Sequence, residues 1–428
     1  MMTGEKNMGI FSEKKISVLG LGKSGYESAL FLKERGAEVY ASEIAVGDEF
    51  LKRKSELESQ EIEVEIGSHD LSRILASHFT VVSPGIAPHT DVIKTLRAKH
   101  HLLISEIELA YRFFEGTVVA VTGTNGKTTT TTLAAGILRH FGQIAFSCGN
   151  IGNPFIGEVR KGNTQGTAVV EVSSFQLETI QMFQPQIAFL LNVEPDHIDW
   201  HGNFEKYLNA KLRIFENQKA DNIAILNYQD SAIQKSISKI RPRIFFFNEK
   251  EGTGNPNWDA VLCLCDVFGW DRKSGEAFLN NAPQIEHRLE KVDSGDDVIY
   301  INDSKSTNPS SLAYALERQS QKVILIVGGK NKGNRFDHLR PLIREKVKHL
   351  IIFGECRDLL REDLGETTTF EIAENLTDVL SRARRVSRRG DVVLFSPGCA
   401  SFDMFKNYED RGRQFKGLVL AQREVHVA

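Results

Sequence analysis

Residues 117–140 read TVVAVTGTNGKTTTTTLAAGILRH, and this segment is the strongest indication of how the 428-residue chain folds. An apolar, β-branched run leads into a glycine loop, and a helical segment begins near Lys127. The order predicts a strand, a phosphate-binding loop and a helix, because glycines let backbone N–H groups turn towards phosphate oxygens at a helix N-terminus. Lys127 would neutralise phosphate charge, and Thr128 could hold magnesium. The loop is shorter than GxxxxGK[ST], so by itself it also fits a plain strand-to-helix turn.

The same alternation of apolar runs and amphipathic segments continues on both sides. KISVLG, GYESALFLKERG and AEVYASE predict a strand, a helix and a strand, and similar units extend to about Glu106. Four strand-like runs follow the phosphate loop, and the alternation resumes from VIYINDS to a C-terminal helix. NEKEGTGNPN (248–257) predicts a surface loop, and APQIEHR predicts a linker. We therefore predict an α/β protein with three domains, residues 1–106, 107–284 and 285–428.

Composition and charge exclude several classes of protein. The chain is 41% hydrophobic and 25% charged, and its 53 basic and 56 acidic residues give a net charge of -3. Such a balance creates no overall field for nucleic acid or anionic membrane. The N-terminus lacks the apolar core of a signal peptide, and no segment reaches about 18 uninterrupted apolar residues. We expect a cytoplasmic protein without a membrane span, and we interpret RARRVSRR as a solvated helix face.

The cysteines indicate a reducing compartment. Five is an odd number for a disulfide framework, and the spacing lacks a paired CxxC zinc signature. We expect reduced, buried thiols at Cys148, Cys263, Cys265, Cys356 and Cys399.

A second glycine loop, GLGKSG from Gly20 to Gly25, follows the first predicted strand. Glu43 ends the next strand, where a carboxylate could contact a ribose hydroxyl. Considered alone, this GxGxxG predicts NAD binding. The same features fit any nucleoside diphosphate, so a UDP-linked ligand is an equal candidate, and a structural turn is the simpler alternative.

Polar residues also collect after two later strands, in EVSSFQLE and NVEPDHIDWH. Glu171 and His197 could be ligands of a cation beside the nucleotide, because ligands of open α/β sheets bind at the carboxyl ends of strands. Both residues could equally be loop caps. Lys211, on a predicted helix, would by itself be taken for a solvated lysine.

Seven segments together resemble the Mur ligases: GTNGKTT, EVSSFQLE, NVEPDHIDWHG, YLNAKLRIFEN, EHRLE, INDSKSTNPSS and SPGCASFDMFKNYEDRGRQF. The matches run in order from Gly20 to Phe415, and the last two segments favour the branch that adds D-glutamate. The resemblance implies a Rossmann-like N-terminal domain for a UDP-linked substrate, a central P-loop ATPase-like domain and a Rossmann-like C-terminal domain for the amino acid.

The resemblance implies an ATP-dependent ligase of cytoplasmic peptidoglycan precursor synthesis, which serves cell-wall biogenesis, cell shape and cell division. It would join D-glutamate to UDP-N-acetylmuramoyl-L-alanine through an acyl phosphate and release ADP and phosphate. Catalysis is expected from Lys127, His197 and Lys211, with Lys211 carbamylated by CO₂. The expected magnesium ligands are Thr128, Glu171, His197 and Lys211. The expected ATP contacts are Gly123, Thr124, Asn125, Gly126, Lys127, Thr128, Thr129, Arg288 and Asp303.

The substrate contacts follow from the same resemblance. Those for the UDP-linked substrate are Leu21, Lys23, Ser24, Glu43, Ser83, Gly85 and Asn150. Those for D-glutamate are Thr307, Lys332, Ser401, Phe402 and Tyr408, with Lys305 nearby. The chain departs from the family in two places: Tyr408 stands where a phenylalanine is common, and the divergent GGKNKGN makes Lys330 an alternative to Lys332.

Three other hypotheses remain open. The chain could be a sister ligase that adds L-alanine or a diamino acid. An NAD-dependent oxidoreductase would use GLGKSG but leave the phosphate loop unexplained. A regulatory protein with an inactive ATPase would not need Lys127, Thr128, Glu171, His197 and Lys211 together. We expect a monomer that binds small-molecule substrates and no nucleic acid.

Overall fold

The computed structural model describes residues 9–295 and 297–427, with side chains described up to residue 421. The chain divides into two compact units. The first contains the residues up to Pro195 together with Trp200–Ala282 and carries two β-sheets. The second contains Asp196–Asp199 together with the residues from Pro283 onward and carries one sheet. The α/β fold class is therefore confirmed.

The first sheet is built from βα repeats. Its elements are β1 Lys15–Leu19, α1 Lys23–Glu34, β2 Glu38–Glu43, α2 Asp48–Glu58, β3 Glu63–Ile66, α3 Leu71–Leu75, β4 Phe79–Val82, α4 Asp91–Ala98, β5 Leu103–Ser105 and α5 Glu106–Tyr111. The strands are parallel in the order β3-β2-β1-β4-β5. The strand order reverses beside β1, so the glycine loop after β1 lies at the position where such sheets bind ligands.

The second sheet contains the phosphate loop. Its elements are β6 Thr117–Thr122, α6 Lys127–His140, β7 Ala145–Gly149, α7 Phe155–Arg160, β8 Thr167–Glu171, α8 Ser174–Leu177, β9 Ile187–Leu190, α9 Ile198–His201, α10 Phe204–Leu212, β10 Ile223–Asn227, α11 Ser231–Ser236, β11 Arg243–Phe247, α12 Pro256–Phe268 and α13 Arg272–Asn280, with 3-10 helices at Arg213–Phe215 and Ile237–Lys239. The parallel order is β11-β10-β9-β6-β8-β7. The predicted loop at 248–257 was two residues too long, because Pro256 and Asn257 already belong to α12. Pro256 suits the first turn of a helix, and Asn255 caps it.

Charged contacts join the first two sheets within the first unit. Arg160 of α7 donates from Nε to Glu27 and from Nη1 to Glu34, each at 2.8 Å. Glu106, fully buried at the start of α5, accepts the backbone N–H of Ile156 at 2.6 Å. Burial raises the pKa of Glu106 to about 7, against the effect of this hydrogen bond. The contacts fix the helices that flank both sheets.

The third sheet makes up most of the second unit. Its elements are β12 Glu290–Val292, β13 Ile299–Asn302, α14 Pro309–Glu317, β14 Val323–Gly328, α15 Arg340–Lys346, β15 Val347–Phe353, α16 Arg357–Leu364, β16 Phe370–Ile372, α17 Leu376–Val386, β17 Val392–Gly398 and α18 Tyr408–Val427, with a 3-10 helix at Asp337–Leu339. The order is β12-β13-β17-β14-β15-β16, and β12 is antiparallel to β13. Apolar cores cover both faces.

The cysteines are as expected from composition. All five cysteines are free and buried. In RARRVSRR, Arg382 and Arg385 of α17 pair with Glu371, whereas Arg388 and Arg389 lie beyond the end of the helix at Val386. Within the described part of the chain, no helix is long and apolar enough to cross a membrane.

Candidate active site

The phosphate loop has the conformation that its glycines allow. Gly123 has φ 155° and Gly126 has φ 84°, values that other residues rarely adopt. Lys127 opens α6, and its Nζ donates to the carbonyls of Gly123 at 3.0 Å and Thr124 at 2.9 Å. The ammonium group therefore lies over the loop whose N–H groups begin the helix. A phosphate there would meet a lysine charge and a helix N-terminus together.

A carboxylate and a hydroxyl meet beside this loop. Thr128 Oγ1 donates to Glu171 Oε2 at 2.7 Å, and Asn150 Nδ2 donates to Glu171 Oε1 at 2.9 Å. Glu171 ends β8, which lies between β6 and β7, so the residues after these three parallel strands meet at one edge of the sheet. Thr128 and Glu171 are buried. Hard oxygen atoms of this kind are the ligands that magnesium prefers, so Thr128 and Glu171 fit a magnesium site.

Lys211 of α10 reaches this loop and is buried, so it is not a solvated helix lysine. Only 1% of the residue is exposed, and its Nζ donates to the Gly123 carbonyl at 2.8 Å. The ammonium lies 4.5 Å from the centre of the Tyr207 ring, one turn earlier on α10. The Tyr207 hydroxyl lies 3.1 Å from Thr124 Oγ1. Two lysines, Lys127 and Lys211, thus share one loop carbonyl.

Residues that the sequence analysis missed hold the loop in place. Asn192 Oδ1 accepts the N–H of Asn125 at 2.8 Å, and Glu194 Oε2 accepts from Asn125 Nδ2 at 3.3 Å. Both follow β9 in the NVEPDH segment, which had been singled out for His197 alone. Asn257 lies against the loop: a Cβ on Gly126 would be 2.3 Å from its Oδ1, which accepts from Thr130 Oγ1 at 3.4 Å. Its position at the start of α12 carried no motif.

His197 lies in the segment Asp196–Asp199, which belongs to the second unit. It has φ 52°, and its N–H donates to Asp196 Oδ1 at 2.9 Å. Asp196 is buried, accepts from Asn308 Nδ2 at 3.1 Å, and has Lys332 Nζ at 4.0 Å. Asp196 is a further polar residue that the sequence analysis missed. The expected pairing of His197 with Glu171 stays a prediction.

The glycine loop of the first sheet is held by a carboxylate. Glu43 Oε2 accepts the N–H of Leu21 at 2.8 Å, and its Oε1 accepts the N–H of Ala45 at 2.9 Å. Ser83 Oγ donates to the Gly20 carbonyl at 2.8 Å. Three predicted ligand contacts, Leu21, Glu43 and Ser83, are thus brought together. Arg53 was missed, although its Nη1 donates to the Leu21 carbonyl at 2.5 Å.

The other residues predicted to contact the UDP-linked substrate differ in exposure. Lys23 and Gly85 are exposed, and Ser24 is half-buried. Leu21 is fully buried, so its side chain is part of the core. A ligand at this loop would meet backbone groups and the exposed Lys23 rather than the leucine side chain.

Asp303 is a buried carboxylate beside the third sheet. It follows β13 and accepts the N–H of Leu289 at 3.2 Å and Ser396 Oγ at 2.8 Å. Burial raises its pKa to about 6, although the nearby charge of Arg288 opposes the rise. Arg288 lies between His287 with φ 63° and Leu289 with φ 43°, so an unusual turn presents the arginine.

The residues predicted for D-glutamate follow three adjacent strands. Thr307 comes after β13, Ser401 and Phe402 after β17, and Lys332 after β14, and β17 pairs with both other strands. Ser401 is buried, whereas Phe402 is 67% exposed. The parallel pairing brings these loops to one edge of the sheet.

Two further lysines border these loops. Tyr408 accepts from Lys305 Nζ at 2.9 Å through its hydroxyl, a contact that phenylalanine would lack. The alternative to Lys332, Lys330, is exposed, and its backbone pairs with Ala400.

Arg411 was not singled out from the sequence, yet it connects two of these loops. It is fully buried and donates from Nε to Ser304 Oγ at 3.0 Å and from Nη1 to the Cys399 carbonyl at 3.0 Å. Burial lowers its pKa to about 10, so it remains charged at neutral pH. A fixed cation thus supports the loops after β13 and β17.

Family models match most of the chain. The Mur ligase MurD-like N-terminal domain matches residues 14–105, the Mur ligase middle domain residues 121–262, and the Mur ligase glutamate ligase domain residues 287–399. The middle-domain match includes the phosphate loop, Glu171 and Lys211.

Curated relatives match over nearly their whole length. The UDP-N-acetylmuramoylalanine--D-glutamate ligase of Geotalea daltonii is 39% identical over 442 residues, which cover 95% of this chain and 97% of the relative. The enzyme of that name from Aquifex aeolicus is 39% identical and is covered to 98%.

Solved structures share the fold at low identity. The MurF ligase of Thermotoga maritima in complex with ADP has a TM-score of 0.60 at 17% identity, with 97% of this chain and 96% of that chain covered. The UDP-N-acetylmuramate-alanine ligase MurC of the same organism has a TM-score of 0.58 at 17% identity, with 97% and 100% covered. These similarities establish the arrangement of strands and helices.

Proposed function

The chain belongs to the Mur ligases, and we propose that it joins D-glutamate to UDP-N-acetylmuramoyl-L-alanine at the expense of ATP. The observation that carries this proposal is the 39% identity, over 95% of the chain, to a ligase of that name. The phosphate loop with Lys127, Thr128 and Glu171 supports the use of ATP. A match to the middle domain alone would not indicate which amino acid the enzyme adds.

The reaction proceeds in two chemical steps. The L-alanyl carboxylate attacks the γ-phosphorus of ATP, giving an acyl phosphate and ADP. The amine of D-glutamate then attacks the acyl carbon, and the tetrahedral intermediate collapses to an amide and phosphate. The protein supplies positioning and charge neutralisation. Lys127 performs the second task, since its ammonium lies at the loop where the γ-phosphate binds.

Thr128 and Glu171 are the residues that would hold magnesium, with His197 and the modified Lys211 as further ligands. The 2.7 Å contact between Thr128 Oγ1 and Glu171 Oε2 supports this assignment, because it brings a hydroxyl and a carboxylate together beside the phosphate loop. Bound magnesium supplies a Lewis acid that draws negative charge from phosphate oxygens. Asn150 orients the carboxylate by donating to its other oxygen.

Lys211 acts as a carbamate. The ammonium first loses a proton. The neutral amine then forms a bond to the carbon of CO₂ and loses a second proton, so that the side chain ends in a carboxylate that can serve as an anionic oxygen ligand. The burial of Lys211 and its 2.8 Å contact with the Gly123 carbonyl support a role at the loop rather than at the surface. At the phosphate loop, an anionic carbamate would bind magnesium, whereas a cationic side chain would repel it, and substitution of Lys211 distinguishes the two.

The remaining site residues divide among the three ligands. Arg288 and Asp303 contact the nucleotide, together with the phosphate loop Gly123–Thr129. The UDP-linked substrate contacts Leu21, Lys23, Ser24, Glu43, Ser83, Gly85 and Asn150. The amino acid contacts Thr307, Lys332, Ser401, Phe402 and Tyr408. A lysine and hydroxyl groups suit the two carboxylates of D-glutamate.

Three domains, residues 1–106, 107–284 and 285–428, would carry these three ligands. The matched family segments 14–105, 121–262 and 287–399 support these limits. We place the enzyme in the cytoplasm as a monomer, acting on small molecules in peptidoglycan precursor synthesis.

One assay tests substrate and reaction together. The protein is incubated with ATP, magnesium and UDP-N-acetylmuramoyl-L-alanine, and phosphate release is measured with each amino acid singly. We expect release with D-glutamate, little with L-glutamate and none without the UDP-linked substrate. A preference for L-alanine or a diamino acid would identify a sister ligase instead. Oxidation of NADH, followed at about 340 nm, would support the dehydrogenase that GLGKSG alone predicts.

A further inference from the structure

Two of the five cysteines lie next to each other in the second unit. The sulfur atoms of Cys356 and Cys399 are 3.2 Å apart, although the residues are 43 positions apart in the chain. Cys356 is 7% exposed and Cys399 is 2% exposed. Both are free thiols. The distance exceeds the length of an S–S bond, about 2.05 Å, by little more than 1 Å.

The two cysteines occupy loops at the carboxyl edge of the third sheet. Cys356 lies between β15 and α16, and Cys399 directly follows β17, two residues before Ser401. The N–H of Cys356 donates to the Gly329 carbonyl at 2.9 Å, and the N–H of Glu355 donates to Asp403 Oδ2 at 2.9 Å. Movement of either cysteine is therefore transmitted to the loop that carries Ser401.

We propose that an oxidant of the peroxide class joins Cys356 and Cys399 in a disulfide, and that this bond reversibly disables the amino-acid site. The inference rests on the proposed function, because it assigns Ser401 and Phe402 to D-glutamate. It adds a redox control of the same site. Cys148, Cys263 and Cys265 lie in the first unit and are not part of this pair.

The chemistry balances with hydrogen peroxide. The sulfur of Cys356 attacks one peroxide oxygen, the O–O bond breaks, and a sulfenic acid and one water form. The sulfur of Cys399 then attacks the Cys356 sulfur, and the S–O bond breaks with release of a second water. The two thiols lose two electrons, which peroxide gains. Cys356 reacts first because it is the more exposed of the two. The hydrogen bond with Cys356 and burial both raise the pKa of the Cys399 thiol, which makes Cys399 the slower to react.

The backbone next to Cys399 is held on several sides, so we expect the approach of the two sulfurs to shift the neighbouring Ser401. Arg411 Nη1 fixes the Cys399 carbonyl at 3.0 Å, and Ala400 exchanges two backbone hydrogen bonds with Lys330 at 2.8 and 3.0 Å. A Cβ on Gly329 would lie 2.2 Å from the Ala400 carbonyl, so the backbones are already in close contact. Displacement of a substrate-positioning group by about 1 Å can cost about a hundredfold in rate.

The test compares the full-length protein before and after treatment with hydrogen peroxide. Free thiols are counted, the cross-linked peptide is identified by mass, and kcat/KM for D-glutamate is measured with and without a dithiol reductant. We expect the thiol count to fall by two, a Cys356–Cys399 peptide, and a ten- to hundredfold loss of kcat/KM that the reductant reverses. Cys356→Ala should keep its activity under peroxide. Cys263→Ala, which removes a buried thiol of the first unit, should respond as the parent does.

The outcomes separate this inference from the proposed function. Five titratable thiols after peroxide would overturn the disulfide, whatever the enzyme ligates. A disulfide with unchanged kcat/KM would overturn the control of the site, as would an equal loss in Cys356→Ala. If the reduced protein ligated another amino acid, the assignment of D-glutamate would fail while the thiol count still tested the bond. Cys399→Ala provides a second variant should Cys356→Ala fold poorly.

Discussion

The two glycine loops of the first unit have similar sequences and different surroundings. GLGKSG follows β1 and GTNGKT follows β6, and each opens a helix beside a parallel sheet. At the first loop, Glu43 from the end of β2 accepts the N–H of Leu21. In the second, Lys127 and Lys211 both donate to Gly123, and Thr128 meets Glu171. Each loop has a carboxylate beside it, but only the second is also contacted by two lysines.

The difference shows that glycine spacing determines the turn and the neighbouring side chains determine the ligand. A Cβ on Gly25 would lie 1.8 Å from the Gly20 carbonyl, so that glycine is required by packing alone. A carboxylate after the second strand suits a ribose hydroxyl, whereas lysine and threonine suit a triphosphate. The GxGxxG pattern therefore does not by itself identify a dinucleotide site.

The largest expected effect is that of Lys127→Ala. Removing the ammonium should lower ligation by at least about 10²- to 10³-fold, because it neutralises charge on the transferred phosphate. Phosphate release measures the loss, and circular dichroism checks that the fold is unchanged. Lys206→Ala, an exposed lysine on α10, is the matched control and should be nearly fully active. Normal turnover by Lys127→Ala would remove the lysine from the phosphate site.

The second effect concerns Lys211 at the second loop, and tests whether this side chain acts as an anion or as a cation. Lys211→Arg should be as damaging as Lys211→Ala, about a hundredfold or more, because guanidinium cannot form a carbamate and would repel magnesium. Labelled bicarbonate should give a carbamate carbon signal in the magnesium-bound parent and none in Lys211→Arg. Near-normal ligation by Lys211→Arg would contradict the carbamate.

The third effect concerns Asp303, a buried carboxylate of the second unit. The pKa of Asp303 is about 6 in the folded protein, above its ordinary 3.8, so the folded state binds the proton more tightly. The protonated Asp303 therefore stabilises the fold fully below about pH 4, and this contribution is lost as the pH rises to about 6. Asp303→Asn should therefore gain stability relative to the parent across this range, by up to about 3 kcal/mol.

Urea unfolding at several pH values measures this difference. A difference that stays constant from pH 4 to pH 7 would contradict the raised pKa of Asp303. The KM for ATP provides a separate readout and should rise in the variant if Asp303 contacts the nucleotide.

The smallest effect is expected at the first loop. Glu43→Gln leaves one of the N–H groups of Leu21 and Ala45 without its carboxylate acceptor, at a cost of about 1 kcal/mol. The KM for the UDP-linked substrate should rise about fivefold while the KM for ATP is unchanged. Glu58→Gln, on the exposed side of α2, is the control. A change in the KM for ATP alone would reverse the assignment of the two loops.

Most of the fold could be predicted because the parallel strands are buried on both faces and form continuous apolar runs. β1, β6 and β14 are examples, and each was found. The strands β7 and β16 were not predicted, since they lie at sheet edges and their sequences AFSCG and FEI carry little apolar pattern. The antiparallel β12 is also short and at an edge.

The site residues also fall into two groups, those that a local sequence motif marks and those that no motif marks. The lysine and threonine of the phosphate loop have a sequence motif because they act next to each other in the chain. Lys211 and Asn257 reach the loop from helices far away in sequence, so no local pattern marks them. Lys211 was identified through family resemblance, and Asn257, Arg53 and Arg411 were missed.

The most direct test is calorimetric titration of two ligands into two variants. A non-hydrolysable ATP analogue and UDP-N-acetylmuramoyl-L-alanine are titrated separately into Lys127→Ala, Glu43→Gln and the parent. We expect Lys127→Ala to lose affinity for the ATP analogue only, and Glu43→Gln to lose affinity for the UDP-linked ligand only. Loss of the same ligand in both variants, or binding of NADH by the parent at the first loop, would contradict the assignment of the two loops.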